Sequence, residues 1–468
     1  MDKKRRKRYG RSGFLMVLLT AALSAGCGHA SDTDRTEAVS VILETGQEAA
    51  AHDLLQGTDA EGTEATEAGT AEEEGTAEEA EKMAVITGSV SGGEALTEAQ
   101  REPLTAFMDA FYRSMAELEP EDCGSLFTED EVHAEFRARV PGTSWTAVTQ
   151  NRDQAGLHEA VWEMMAGIRR ASGLNPGILS CNYTLDCQEI RELEDGCVQI
   201  EAMEYADMRF AHTADTVSSV TGLWHSFVIK DMDGRWLLTH HAAYDSAYFP
   251  FIRWENSGTG GSAGGISGEE ARHLAREQIL RAEEAIRSRR EASFSTEAPG
   301  GSPYPSADHA YDREAAAAYA REWAGDRNPR WHAYDGAGGN CMNYVSQCLY
   351  AAGIPMDPSG GWYWYSDADR APAWTGVSAF RRYALENSGY GLCAAEASYD
   401  SGETGDVILM YSDERYNHAV IITEPVYDSE GEIIDYLICS NTGNYRDFPA
   451  AAYTCQEQEL VKILGWNE

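Results

Sequence analysis

The sequence predicts an α+β fold in two domains, on three observations. Its 468 residues exceed what one hydrophobic core ordinarily organises. Over 95–255, helical periodicity comes first and extended runs follow, the order of a helix-covered antiparallel, cone-like sheet. Beyond a glycine-rich stretch, 309–468 is long enough for a core of its own and repeats that order, a buried helix and then strands.

Composition narrows what such a chain can do. With 43% hydrophobic and 10% aromatic residues it is globular in large part. Its 37 Lys and Arg stand against 77 Asp and Glu, a formal charge of −40 that repels a phosphate backbone and argues against a nucleic-acid partner. The basic cluster Lys3 to Arg8 precedes an apolar run, Phe14 to Leu23, that is short for a bilayer span, and Ser24-Ala25-Gly26 then leads to Cys27. A secretory signal over 1–26 is expected. Its end resembles a bacterial lipobox, which implies that Cys27 is acylated and anchors the protein outside the cytoplasm. Cleavage after Gly26 or Ala30 without a lipid is the alternative, and gives a secreted protein. The segment 27–94 is rich in Glu, Ala, Thr and Gly, with Glu72-Glu73-Glu74 and Glu78-Glu79. Too little apolar surface is present to offset ordering entropy, so a disordered acidic tether is expected there.

In 95–255, Leu104, Phe107, Met108, Phe111, Met115 and Leu118 recur at the three-and-four spacing of an amphipathic helix, and a second helix is expected between Trp145 and Ala171. Extended runs follow at 178–187, 197–206, 218–230 and 236–244, the last two separated by the hairpin signal Asp233-Gly234. On architecture alone this block resembles the nuclear-transport-factor-like and cystatin-like cones. His225, His240, His241 and Asp245 are polar groups for a cone interior, but adjacent His240 and His241 point to opposite faces of a regular strand and cannot share one metal. No site is assigned there. The stretch 256–308 reads as a linker carrying one charged helix, Glu269 to about Ala292.

The chemistry concentrates in 309–468. Gly338-Gly339-Asn340-Cys341 opens a helix in which Val345, Cys348, Leu349 and Ala352 recur at helical spacing. A thiol at that place gains from free backbone amides and the positive end of the helix dipole, which favour thiolate and can face a developing oxyanion. A base is offered later. Gly405 to Tyr411 reads as a strand and Asn417 to Ile422 as its antiparallel partner, with His418 on the face of Val420 and Ile422. A third strand, Asp435 to Ser440, ends at Asn441, which could orient the imidazole.

These residues, Gly339 to Tyr350 with Tyr311 to Trp323 before them and Ala373 to Val377 and Asn417-His418-Ala419 after, resemble the Putative amidase domain family of bacterial secreted proteins. That family is similar to the papain-like cysteine amidohydrolases and peptidases, which implies a papain-like catalytic domain over 309–468. The implied activity is hydrolysis of an amide bond, in peptidoglycan peptides or another amide substrate. Position by position, Cys341 matches the nucleophile and His418 the base, with Asn340 shaping the oxyanion site. Many relatives carry a histidine-threonine pair where this sequence has Asn441-Thr442, so Asn441 and Asn444 both stand as candidates for the orienting residue.

The alternative is a catalytically inactive lipoprotein that keeps the fold and binds wall peptide or a protein. Thiol catalysis needs no cofactor, and without Cys-x-x-Cys or His-Glu-x-x-His zinc is not expected. Setting Cys27 and Cys341 aside leaves an even eight of the ten cysteines, which invites disulfides of unreadable connectivity, although Cys348 is expected to be a buried apolar residue. Trp362-Tyr363-Trp364-Tyr365 and Trp374 are either core or a groove that stacks on sugar or peptide.

Overall fold

The structure, a computed structural model, describes residues 84–128, 135–150, 153–257, 260–261, 266–293, 304–335, 339–412 and 415–468. The expected signal, Cys27 and most of the acidic tether lie outside the described residues. The tether's assigned end does not: Val85–Ser91 is strand β1, paired in parallel with a later strand from Val85↔Ser180 to Ser91↔Asp186. Its alternation of threonine, valine and isoleucine with small residues suits a pleated edge.

Helix α1 (Glu98–Glu117) follows, and the Thr97 amide donates to Gln100 Oε1 at 2.9 Å, closing its first turn. Its buried face is the predicted one, Leu104, Phe107, Met108 and Met115. Strands β2 (Phe136–Arg139) and β3 (Trp145–Thr149) come before helix α2 (Gln154–Ala171). The helix expected from Trp145 therefore starts only at Gln154. Trp-Thr-Ala-Val-Thr is dominated by strand-forming side chains and pairs with β2 on one side and with β8 (Arg253–Asn256) on the other. Asp153 then caps α2, accepting from the Gly156 amide at 3.1 Å.

The meander is β4 (Ile178–Glu192), β5 (Cys197–Phe210), β6 (Ser218–Met232) and β7 (Arg235–Ala243), antiparallel throughout. After β8 come β9 (Gly260–Gly261) and helix α3 (Gly268–Ser293). This charged helix is docked, contrary to its reading as part of a linker. Ala271, Ala275 and Ala282 are its buried face, and a Cβ on Gly167 of α2 would lie 2.5 Å from Ile279. Small residues on both helices permit that approach.

The last third contains α4 (Arg313–Trp323), α5 (Cys341–Ala351), the small ribbon β10 (Trp364–Ser366) and β11 (Asp369–Arg370), α6 (Pro372–Thr375), α7 (Val377–Glu386), β12 (Gly391–Ala397), β13 (Val407–Ser412), β14 (Arg415–Tyr427), β15 (Ile433–Cys439), β16 (Tyr445–Arg446), β17 (Phe448–Pro449) and β18 (Glu457–Asn467). Its sheet runs β12-β18-β13-β14-β15-β17. Period-two alternation gives it two apolar faces. Val407, Leu409, Ala419 and Ile421 pack with α5, while Ile408, Met410, Val420 and Ile422 face the other way.

That second face is not separated from the cone. It belongs to the same apolar cluster as Phe210, Val220 and Trp162, and Phe210 meets Phe448 edge-on at 5.2 Å. His212 pairs with buried Asp435 at 2.8 Å, and Arg169 Nε donates to the Ala452 carbonyl at 3.0 Å. β16 leaves its own sheet altogether and pairs with β6 through Tyr445↔Val220 and Arg446↔Ser219. The architecture is mixed α/β with several sheets, as expected for α+β, but the described residues form one compact unit in which the predicted domains share a core. Among the described residues no helix is long and apolar enough to cross a membrane.

Inside the cone lies a polar chain. Tyr112 and His225 both bind Glu204, the latter at 2.9 Å, and His225 Nδ1 meets His241 Nε2 at 3.0 Å. His240 is turned the other way, against Phe136. His158 stacks on Phe127 with both ring nitrogens unpartnered, and burial pushes its pKa down to about 3 from an ordinary value of 6.5. Burial lowers His241 as well. Because these imidazoles are held neutral when folded, the unfolded chain binds more protons below pH 6.5, so stability falls as pH drops from there toward the folded values. For His158 the loss between pH 7.5 and 5 is roughly 2 kcal/mol. Urea unfolding at the two pH values should show it, and His158→Phe should flatten the dependence.

Candidate active site

Cys341 is the first residue of α5, and the chain turns into that helix through Gly339, whose φ of +113° suits glycine. The lead-in is fixed by amides rather than charges. The Asn340 side chain accepts from the Tyr334 amide at 3.0 Å and from Asn343 Nδ2 at 2.9 Å, and it donates to Asn441 Oδ1 at 2.6 Å. The Asn340 backbone amide donates to Thr442 Oγ1 at 2.8 Å. Trp374 Nε1 closes the far end on Asn343 Oδ1 at 3.0 Å.

Cys341 is 5% exposed. Burial pushes its pKa up to about 11, and the charge of Asp335 adds to that, while hydrogen bonds from the backbone amides of Ala419, Met342 and Cys341 itself pull the other way. The sulfur thus lies close to the backbone of β14 as well as to the start of its own helix.

His418 is the residue before Ala419, but its ring goes to the opposite face of the sheet from α5. It pairs across the ladder with Met410 and stacks on Tyr453 at 5.3 Å. With Met410 and Tyr453 it lines a cavity of about 60 Å³ whose other walls include Met164, Ser246 and Ala247. Its Nε2 is buried without a hydrogen-bond partner, and burial pushes its pKa down to about 4. No hydrogen bond joins it to Cys341. The face shared with Val420 and Ile422 is the one expected from alternation, and that face looks toward the cone.

The other predicted residues are placed as follows. Asn441 is fully buried, and its Nδ2 donates to the carbonyls of Trp323, Ala324 and Asp326 at 3.0–3.1 Å. With Oδ1 already bound to Asn340, it does not orient His418. Asn444 holds Arg327 through Oδ1 and the carbonyls of Thr221 and Gly222 through Nδ2, so it joins the two regions and does not orient the ring either. Asn340 is brought together with Asn441 and stands next to the sulfur.

Trp362 and Trp374 are core, with ring centroids 4.8 Å apart, whereas Tyr365 is exposed. All nine described cysteines are free and buried, so the disulfides invited by the even count are absent among the described residues. No group of three or more metal-ligating side chains occurs among those residues either.

Three contributors escaped the sequence reading. Asn343 could have been found, since it stands three residues after Asn340 on one helix face. Thr442 and Tyr453 had no signal, because both meet the site only through the folded chain.

Residues 310–463 match the family described as Putative amidase domain, a likeness that points to hydrolysis of amides. Over 119 residues, 24% of this chain, the sequence is 37% identical to an uncharacterized protein YhbB of Bacillus subtilis (strain 168). The match covers 37% of that relative, so this chain spans little more than a third of its length.

Asn441→Ala removes the partner of Asn340 and strips three buried carbonyls of their donor. A loss of about 1–3 kcal/mol is expected, read as a lower denaturant midpoint.

Proposed function

We propose that the protein is an exported cysteine amidohydrolase, lipid-anchored through Cys27, that cleaves an amide bond in peptidoglycan peptides. The observation that carries this reading is the placement of Cys341 as the first residue of α5, where its thiol sits at the positive end of the helix and close to the backbone amides of Met342 and Ala419. The match of residues 310–463 to amidase domains supports the bond type, and the signal-like first residues support the location.

In the proposed reaction His418 takes the thiol proton and the thiolate attacks the amide carbonyl. The resulting oxyanion is met by the backbone amides. Collapse breaks the C–N bond as the imidazolium returns its proton to the leaving amine, and water then hydrolyses the thioester with the imidazole as base. Asn340 positions the lead-in of α5, and no metal or organic cofactor enters these steps.

A second reading is favoured by a specific observation, the His418 ring on the face away from Cys341. It makes the protein a non-catalytic binder of wall peptide. Release of amino groups from purified wall peptides by the full-length protein separates the two. Cys341→Ala should abolish release with an unchanged unfolding midpoint, and His418→Ala should slow it by about 10²–10⁴-fold. Turnover that survives Cys341→Ala, or binding with no turnover by both the unmodified protein and a Tyr453→Leu variant that removes the ring stacked on His418, sinks the hydrolytic reading.

A further inference from the structure

We propose that the described arrangement is an unarmed state, in which the cone region parks the His418 ring, and that arming re-aims the ring to the Cys341 sulfur by moving a β-bulge at Asn417. The inference rests on the hydrolytic reading above and assigns its regulation.

Four observations carry it. First, the ring's buried Nε2 has no hydrogen-bond partner among the described protein atoms, so no side chain or backbone group of the protein fixes that nitrogen where it is. Second, the parking place is built by both regions: Tyr453 stacks on the ring from one side, while Met164 and Ile168 of α2, Gln278 of α3 and the Ser246–Ala247 turn close the cavity. Third, the ladder between β13 and β14 slips immediately beside His418. Met410 pairs with His418 but Tyr411 pairs with Tyr416, leaving Asn417 as the extra residue. A bulge is a device that re-aims a neighbouring side chain, and a one-residue change of register exchanges the faces. Fourth, the destination is adjacent, because the backbone amide of Ala419, the next residue along, is near enough to the Cys341 thiol to favour its ionised form.

The Tyr453 ring that stacks on His418 also borders a cleft of about 1270 Å³, so it has open space beside it. The titratable side chains on the cavity wall besides His418 are Tyr453 and Cys455, and among the described residues that wall carries no carboxylate. Nothing there holds a proton on the parked ring. On arming, the Cys341 S–H bond breaks and its proton moves to an imidazole nitrogen, leaving thiolate and imidazolium with no further reactant.

The test is alkylation of Cys341 by iodoacetamide in the full-length protein, followed by peptide mass spectrometry across pH. The unmodified protein should react slowly at pH 7, its rate climbing toward a midpoint of about 11. Tyr453→Leu keeps apolar bulk but removes the stacking ring. It should raise the rate at pH 7 by about tenfold or more and move the midpoint toward neutrality, as a thiolate–imidazolium pair requires. Adding His418→Ala should abolish that rise. A rise that persists without the imidazole, or a folded Tyr453→Leu protein with the unmodified profile, overturns the proposal.

Deletion of Asn417 is an independent arm, because a regular ladder holds the ring on the cone face. Such a protein should keep the slow, high-pH profile even with Tyr453→Leu, and fast reaction at pH 7 counts against the switch. An alkylation shift with no amino-group release from wall peptides supports the switch while sinking the hydrolytic reading, so the two fail separately.

Discussion

The turn between β15 and β17 is the constraint on which the rest depends. Thr442, Asn444 and Asp447 all have positive φ, at 78°, 52° and 46°, an unusual density for residues other than glycine and an unfavourable one for a β-branched side chain. Each is held by contacts that need that shape. Thr442 receives the Asn340 amide in front of α5. Asn444 reaches the backbone of β6 through Thr221 and Gly222, and Asp447 binds Arg321 of α4 at 2.9 Å. β16, inside the same turn, extends the cone's sheet. One short segment thus fixes the thiol and the cone against each other.

Burial determines the electrostatics of the two reactive groups more than any charged neighbour does. The same desolvation raises the thiol and lowers the imidazole, so each is neutral by itself. Opposite charges brought together would reverse both shifts, because each would then supply the partner that the other lacks. Between these limits the protein chooses by geometry. The thiol lies close to the backbone of Ala419, while the ring of His418, one residue before, goes to the face shared with Val420 and Ile422.

Much of this was legible in the residues. Period-two alternation placed the strands of the meander and put His418 with Val420 and Ile422, and the glycine before Asn340 marked the start of α5 to the residue. Tertiary facts were not legible. At Trp145–Thr149 the strand-forming side chains were a local signal, but the pairing with β2 and β8 that makes a strand of them depends on residues far along the chain. The acidic run before Val85 masks a strand whose partner begins at Ile178, nearly a hundred residues on. Asn441 was well placed to orient an imidazole by strand alternation, yet its side chain is consumed by Asn340 and three carbonyls, a set assembled from α4, α5 and the β15 end. Cysteine parity suggested cross-links, but burial of every described thiol separates them into apolar niches.

The strand exchanged at β16 has a consequence for how the chain can be divided. A fragment beginning at the match boundary would bare the Val420, Ile422 and Ile438 side of its sheet to water, and the cone left behind would present an open β6 edge. Surfaces of that kind recruit other copies. The cone and the region from 309 to 468 are therefore one unit for any experiment that cuts or expresses part of the chain.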